Sequence, residues 1–436
     1  MLATPAATGR DLADRRLGLR VAIVCALIQA SDGFDLGTVG MTVPALAQVW
    51  HLPPAAFANA FVMSSVGILV GALLAGPAGD RWGRKRVLIA SAAVIALFSL
   101  LSAAAPDLPT LVLLRFLTGI GLGGAMPTTV ALTSDYAPRG RIPTYVMWMF
   151  AGNTAGGFIG GQVASVMLPG LGWQGVYLFG GALPLLTIPL LWTAIPARRP
   201  ARTAAAVPQP RLGAILAGLF RGGLAARTCL LWGAFFINLL NMYLVIYWLP
   251  TVLTLAGLTP GDAAGAASWL NAGGVLCLLL YGPLADRIGP APMLLATLPC
   301  AALFILAISR LDLPYVLEVA AIFGAGAALI GSQHLLNATA TLAYPPSIRA
   351  TGVGWALGVG RLGGIAGPAL GGLLLREGIP PRQIFELICG TVLVAALVVL
   401  ALTRVANRAS SPGNTPATAG EEMGGALPLP DGGTTP

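Results

Sequence analysis

A few ionisable side chains stand inside long apolar segments of this 436-residue chain. Asp32 and Asp35 occur in SDGFDLG, and Arg361 occurs in GVGRLGG. A charged side chain at the centre of a membrane-spanning helix costs about 2.5–3.5 kcal/mol on insertion scales, so such residues indicate function. The i, i+3 spacing of the acids predicts that both carboxylates lie on one helical face that looks into a bundle. Carboxylates can carry protons, and an arginine can bind an anion.

Arg115, in RFLTGIGLGG, is a fourth candidate. Two acids and two arginines would balance their charges across a central cavity. Two other interpretations stay open. The acids could belong to a purely structural ion-pair network, and Arg115 stands close enough to a predicted helix end for its side chain to extend to the membrane interface.

Amide and aromatic side chains in two further segments could form the walls of such a cavity. FFINLLNMYLVIYW contains Asn238, Asn241 and Tyr243, whereas Gln333 and Asn337 lie one turn apart in a later segment. A small-molecule site needs a few polar groups among apolar walls. The alternative is that the asparagines join neighbouring helices by hydrogen bonds. His334 could relay protons, but a single histidine is more often a hydrogen-bonded core residue, so we leave it outside the predicted site.

Metal, cofactor and covalent chemistry find no support in the sequence. The five cysteines lie in apolar runs without paired spacing, and the two histidines are far apart. Nucleophile and nucleotide motifs are missing, so we predict no cofactor, no metal and no enzyme activity. The net charge of +9 does not indicate nucleic acid, because the basic residues do not cluster beside aromatic residues on a polar face.

Membrane-spanning helices are the elements that must position these residues. Of the chain, 56% is hydrophobic and 9% charged, whereas a soluble domain has about 25% charged residues. Apolar stretches of about 20 residues, enough to cross a hydrocarbon core, begin near 20, 57, 87, 110, 144, 175, 228, 263, 292, 314, 351 and 383. We therefore predict an all-α polytopic membrane protein with twelve transmembrane helices, for which the lipid bilayer is a partner.

Basic residues concentrate in alternate connections between these spans. Twenty arginines and lysines fall on one predicted side and three on the other. By the positive-inside rule the richer side is cytoplasmic, which places both termini in the cytoplasm. The membrane orientation thus accounts for the basic charge.

A Pro- and Arg-rich stretch divides the spans six and six. We predict a cytoplasmic tail (1–17), a six-helix bundle (18–195), a cytoplasmic linker (196–227), a second six-helix bundle (228–405) and a disordered cytoplasmic tail (406–436). GPAGDRWG at 76–83 recurs as GPLADRIG at 282–289, after the second helix of each half. Repeated six-helix halves around a central site are one architecture of secondary transporters. Two static bundles are the alternative.

From residue 18 to 405 the chain resembles the major facilitator superfamily. The loop GDRWGRK resembles the signature between helices 2 and 3 of that superfamily, in which an acid and basic residues lock the cytoplasmic face in the outward-open state. A basic cluster that only fixes orientation is the plainer interpretation. The gate residues that the resemblance and the repeat imply are Gly79, Asp80, Arg81, Gly83, Arg84, Lys85, Asp286 and Arg287.

Within the superfamily, DGFD, RFLTGIGLGG, WLPTVL and the run 337–364 resemble the aromatic acid:proton symporter family. Members of that family import benzoate, hydroxybenzoates and related ring acids into bacteria. The resemblance implies proton coupling at Asp32 and Asp35, and binding of the substrate carboxylate at Arg361. We group Arg115 with the coupling residues. The predicted substrate site is completed by Asn238, Asn241, Tyr243, Gln333 and Asn337. We expect a monomer in the bacterial inner membrane.

The expected function is proton-coupled import of an aromatic carboxylate by alternating access. An anion that engages Arg361 would remove its stabilising effect on an aspartate and so favour protonation of that acid. A proton-driven antiporter that exports organic compounds and a transporter-like sensor without flux are the alternatives. Gly157 stands where the superfamily's antiporter motif has proline, which disfavours the first, and the short linker and tail disfavour the second.

Overall fold

The computed structural model describes residues 9–138, 141–196, 218–221, 224–310, 314–345 and 348–409. Within these ranges eleven continuous helices are long and apolar enough to cross a membrane. One of them, Ile142–Ala194, breaks at Gly172, so the described residues form twelve spans. The predicted all-α fold with twelve helices is confirmed.

The helices are numbered in chain order. They are α1 (Gly9–Val49), α2 (Ala58–Trp82), α3 (Arg84–Ser102), α4 (Leu108–Tyr136), α5 (142–171), α6 (173–194), α7 (Ala225–Leu255), α8 (Pro260–Ile288), α9 (Pro290–Ile308), α10 (Tyr315–Ala343), α11 (Arg349–Arg376) and α12 (Pro381–Ala409), with a short 3₁₀ helix at Pro54–Phe57. Because α1 begins at Gly9, half of the predicted first tail is helical. Most of the predicted linker and nearly all of the predicted last tail lie outside the described residues.

Gly172 separates α5 from α6. A single helix of 53 residues would be about 80 Å long at 1.5 Å per residue, far more than a bilayer requires. Gly172 has φ 66° and ψ −170°, a conformation that glycine adopts readily and residues with a side chain rarely adopt. The glycine therefore divides this stretch into two membrane spans.

The repeated sequence motif forms the same turn in both halves. Gly83 between α2 and α3 has φ 90°, and Gly289 between α8 and α9 has φ 91°. Each glycine N–H donates to the carbonyl four residues earlier, over 3.0 Å to Gly79 and 2.8 Å to Ala285. The GPxxDRxG repeat thus encodes one helix end in two places. We call the end of the bundle that carries these two turns the basic end.

The helices associate as two six-helix halves. In the first half α1 packs on α5 and α2 on α4, and in the second α7 packs on α11 and α8 on α10. Between the halves α1 meets α7, α2 meets α11 and α5 meets α8. The central space between the halves is therefore bordered by helices from both.

Aromatic packing closes the end of this space opposite the basic end. Phe61 of α2 stacks on Tyr247 of α7, with ring centroids 4.6 Å apart, and meets Trp248 edge to face at 5.0 Å. The Trp248 Nε1 atom donates to the Pro368 carbonyl over 3.0 Å. A Cβ atom on Gly40 would lie 2.8 Å from the Tyr247 carbonyl, so α1 and α7 approach as closely as their backbones allow.

The α5–α8 pair joins the halves through small residues. A Cβ atom on Gly161 would lie 2.2 Å from the Ser268 side chain. Next to it the Gln162 Nε2 atom donates to Ser268 Oγ over 2.9 Å. Gly161 permits this close approach because it has no side chain to separate α5 from Ser268 of α8.

Candidate functional site

A cavity of about 1250 Å³, including the part that is open to the outside, lies between the halves. Its lining comes from α1, α2, α4 and α5 of the first half and from α7, α8, α10 and α11 of the second. Most lining groups are apolar or amide side chains, and the charged ones are Asp32 and Arg361. Since aromatic residues close the opposite end, the cavity opens towards the basic end.

Asp32 faces this cavity without an ion-pair partner in the described part of the chain. Its Oδ2 atom accepts a hydrogen bond from Asn153 Nδ2 of α5 over 3.2 Å. Gly33 makes this contact possible, because a Cβ atom there would lie 1.8 Å from the Asn153 carbonyl oxygen. The close helix contact therefore brings an amide to the carboxylate and leaves its other oxygen for a further partner.

Arg361 lies on the second half of the same cavity. Its Nη1 atom donates to the Tyr243 hydroxyl over 3.1 Å, and its Nη2 atom lies 2.8 Å from the Met126 sulfur on the first half. None of the described carboxylates forms an ion pair with it. A thioether is a weak acceptor, so the guanidinium can exchange this contact for one with a carboxylate.

Asp35 and Arg115 form a separate, sealed cluster within the first half. Arg115 Nη1 lies 3.1 Å from Asp35 Oδ2, and both side chains are at most 1% exposed. Ser99 donates a short hydrogen bond to Asp35. Arg115 Nη2 donates to Ser102 Oγ over 2.7 Å and to Thr118 Oγ1 over 3.0 Å. We call these five residues the sealed cluster.

The sealed cluster corrects one prediction and excludes one open alternative. Asp32 lines the cavity and Asp35 does not, because the cavity boundary falls within the angle of about 60° between the two side chains. The neighbours of Asp35 lie on α3 and α4. Arg115 is fully buried and does not extend to the membrane interface. The four predicted charges therefore occupy two sites rather than one.

Amides of α7 and α10 form one wall of the cavity. Asn238 Nδ2 donates to Gln333 Oε1 over 2.9 Å, and Gln333 Nε2 donates to Asn337 Oδ1 over 3.3 Å. Gln333, Asn337 and Tyr243 line the cavity, and Asn238 supports Gln333 from behind; their role in substrate binding stays a prediction. The prediction that Asn241 belongs to the substrate site is wrong. Asn241, three residues beyond Asn238, faces α12 and accepts a 2.5 Å hydrogen bond from the Thr391 hydroxyl.

Sequence reasoning missed several residues of the lining. Gln29, Met126 and Asn153 line the cavity, and so does His334, which lies outside the site predicted from the sequence. Gln29 is fully buried, and neither side-chain amide atom has a hydrogen-bond partner among the described residues. Gln29 and Asn153 are polar residues within apolar spans, which is the signal that identified Asn238. Met126 gave no such signal, because methionine is also an ordinary core residue.

The predicted gate residues lie at the basic end. Arg84 pairs with Asp135 of α4 at 2.6 Å, and Lys85 Nζ donates to the Trp192 carbonyl over 2.7 Å. Both contacts stay within the first half. The remaining charged members, Asp80, Arg81, Asp286 and Arg287, are exposed or partly exposed, and no ion pair joins the halves here among the residues that the structure describes. The basic end is therefore open, and the gate role stays a prediction.

Comparisons with known proteins agree with this arrangement. The family model of the Major Facilitator Superfamily matches residues 25–356 and 231–429. A gallate transporter from Pseudomonas putida is 36% identical over 407 residues, which cover 87% of this chain and 91% of that protein. A 3-(3-hydroxy-phenyl)propionate transporter from Escherichia coli K12 is 37% identical over 395 residues, which cover 89% and 94%.

Solved structures share the same fold. A crystal structure of a point mutant of the nucleoside transporter NupG superposes with a TM-score of 0.72 over 88% of this chain and 99% of that one. The two sequences are 17% identical. The superposition therefore supports a shared fold. Because the sequence identity is so low, the match carries no information about the substrate.

Proposed function

Because this chain belongs to the major facilitator superfamily, and within it to the aromatic acid transporters, we propose that it imports an aromatic carboxylate together with protons. It is a multi-pass membrane transporter and not an enzyme. We further propose that the basic end faces the bacterial cytoplasm, following the positive-inside rule. With this orientation the cavity is open to the cytoplasm and closed to the periplasm.

One observation carries the proposal: Asp32 and Arg361 line the same cavity, and neither has an ion-pair partner within the described ranges. The guanidinium can bind a substrate carboxylate through two parallel hydrogen bonds. The aspartate can hold a proton. Apolar lining residues such as Leu36, Phe150 and Ile330 offer the ring a surface of matching polarity.

The same two residues account for coupling between anion and proton. In the empty cavity the positive charge of Arg361 favours the ionised form of Asp32. The negative charge of a bound carboxylate offsets the positive charge of Arg361, so that protonated Asp32 becomes the favoured form. The loaded cavity then carries no unpaired charge and can close, whereas a cavity with only the anion cannot close without burying a net charge.

The sealed cluster supports a stoichiometry of one proton for each substrate. Asp35 is tied to Arg115 and takes no part in lining the cavity. We propose one proton per monoanion, held by Asp32, which makes the cycle electroneutral. A second proton would make uptake respond to voltage by about 2.3 kcal/mol per 100 mV.

Uptake into proteoliposomes tests the proposal. With the pH lower outside, labelled 4-hydroxybenzoate should accumulate inside, and an ionophore that collapses the pH gradient should abolish accumulation. An imposed voltage at constant pH should leave the rate unchanged. Accumulation that survives collapse of the pH gradient would refute proton coupling, and accumulation only under the reversed gradient would indicate an exporter.

A further inference from the structure

His334 and Asn337 lie one turn apart on α10 and both line the cavity, yet neither has a role in binding a carboxylate or a proton. We propose that they bind a hydroxyl group on the aromatic ring, so that the transporter takes up hydroxylated ring acids in preference to benzoate. This inference rests on the proposed import of an aromatic carboxylate. It names the ring substituent that the same site selects.

Hydrogen bonding leaves both side chains available. Gln333 occupies Asn337 Oδ1, and within the described ranges no hydrogen bond uses Asn337 Nδ2 or either ring nitrogen of His334. An unpaired polar group against an apolar surface is costly. A phenolic hydroxyl can accept from the amide and donate to the imidazole at once. The unsubstituted ring of benzoate offers neither function.

The amide chain makes Asn337 a fixed donor. Asn238 is 1% exposed, and its bond to Gln333 holds the glutamine amide against Asn337. Free rotation of Asn337 would break this chain, so its remaining N–H groups keep one direction. A donor that is already oriented loses little conformational entropy when a ligand binds.

The positions of Arg361 on α11 and of Asn337 and His334 on α10 leave room for an aromatic ring between them. Arg361 lies twelve residues after Arg349 at the beginning of α11, and Asn337 lies six residues before Ala343 at the end of α10. Both of those helix ends are at the basic end, so the Cα atoms of Arg361 and Asn337 differ in depth by about 9 Å, and those of Arg361 and His334 by about 4.5 Å, at 1.5 Å per residue. A ring acid whose carboxylate engages Arg361 can therefore extend a hydroxyl on the far side of the ring towards Asn337 and His334.

Charge favours a hydroxyl over a second carboxylate at this position. Among the described lining residues Arg361 is the one permanent cation. A dicarboxylate would bring two negative charges to that single arginine. A hydroxyl brings none, and it leaves the balance between the substrate, Arg361 and Asp32 undisturbed.

Competition between ring acids tests the inference. For the intact protein in proteoliposomes, KM for 4-hydroxybenzoate should be about tenfold lower than KM for benzoate, since two net hydrogen bonds separate them. Asn337→Leu and His334→Phe should each lower the ratio of the benzoate KM to the 4-hydroxybenzoate KM by about threefold or more. The matched control is Asn241→Leu, which removes an amide from the same half outside the cavity and should change both substrates alike.

The outcomes separate the inference from the proposed function. If the wild type transports benzoate and 4-hydroxybenzoate with equal KM, or if both α10 variants change the two acids in parallel, the hydroxyl site is overturned and proton-coupled import stands. Failure of the wild type to transport either acid would instead contradict the proposed function. Should a variant not fold, the wild-type KM ratio for benzoate and the 3- and 4-hydroxybenzoates still decides.

Discussion

Asp32 and Asp35 stand three residues apart in one helix, yet they occupy contrasting regions. The sealed cluster gives Asp35 a cation and a serine hydroxyl at almost no exposure to solvent. The cavity gives Asp32 one amide hydrogen bond and no cation in contact among the described residues. A buried charge that already has its partners contributes to the fold, whereas a buried charge that can still accept hydrogen bonds can respond to a ligand. The difference lies in the partners and not in the residue type.

Removal of the arginine from each region should give the largest contrast. Arg115→Met leaves Asp35 as a buried charge without its partner, which costs about 3–5 kcal/mol of folding free energy. Arg361→Met removes a group beside an open cavity, so that protein should fold while losing uptake. Melting temperature in detergent and uptake in proteoliposomes measure the two effects.

A double variant checks the cause of the Arg115 effect. Asp35→Asn combined with Arg115→Met removes both charges and should recover part of the lost melting temperature. If Arg115→Met melts at the wild-type temperature, or if the double variant is no more stable than the single one, the sealed cluster is not an ion-pair anchor.

Replacement of each acid by its amide should separate coupling from structure. Asn at position 32 mimics a permanently protonated acid, so Asp32→Asn should exchange labelled for unlabelled substrate across the membrane but lose accumulation driven by the pH gradient. Asp35→Asn leaves Arg115 unpaired and should mainly lower the melting temperature. Gradient-driven accumulation at the wild-type level in Asp32→Asn would remove that residue from the coupling mechanism.

Replacement of a neutral polar side chain in each region should change stability by a smaller amount, and in opposite directions. Thr118 accepts a hydrogen bond from Arg115 in the sealed cluster, so Thr118→Val should destabilise the protein by about 1–3 kcal/mol. Gln29 is buried beside the cavity with both amide atoms unpaired among the described residues. Gln29→Leu should therefore stabilise the substrate-free protein by about 1 kcal/mol. A lower melting temperature for Gln29→Leu would show that this amide is already satisfied.

Much of the fold followed from the sequence because bilayer thickness limits the possible elements. The lengths of the apolar stretches predicted the membrane spans. The GPxxDRxG repeat predicted two similar halves, and its turns at Gly83 and Gly289 have nearly the same φ angle. The break at Gly172 matches the predicted boundary between the spans near 144 and 175. Local chemistry and membrane thickness determine these features, and neither depends on how the halves pack.

The division of the site into two regions was not predictable in this way. Spacing along a helix fixes the angle between two side chains, about 60° for Asp32 and Asp35 and again for Asn238 and Asn241. It does not say where the neighbouring helices stand. The boundary between cavity and packed interior falls inside each of these angles. For this reason one member of each pair lines the cavity or supports its wall, and the other is enclosed by adjacent helices.

The aromatic contact of Phe61 with Tyr247 and Trp248 has a kinetic consequence. In the proposed import cycle, the empty carrier must separate these rings before its cavity can open to the other side of the membrane. Each aromatic pair is worth about 0.5–1.5 kcal/mol beyond the area it buries, and no substrate is then present to offset that energy. Separation of the rings therefore adds this energy to the barrier for the return of the empty carrier.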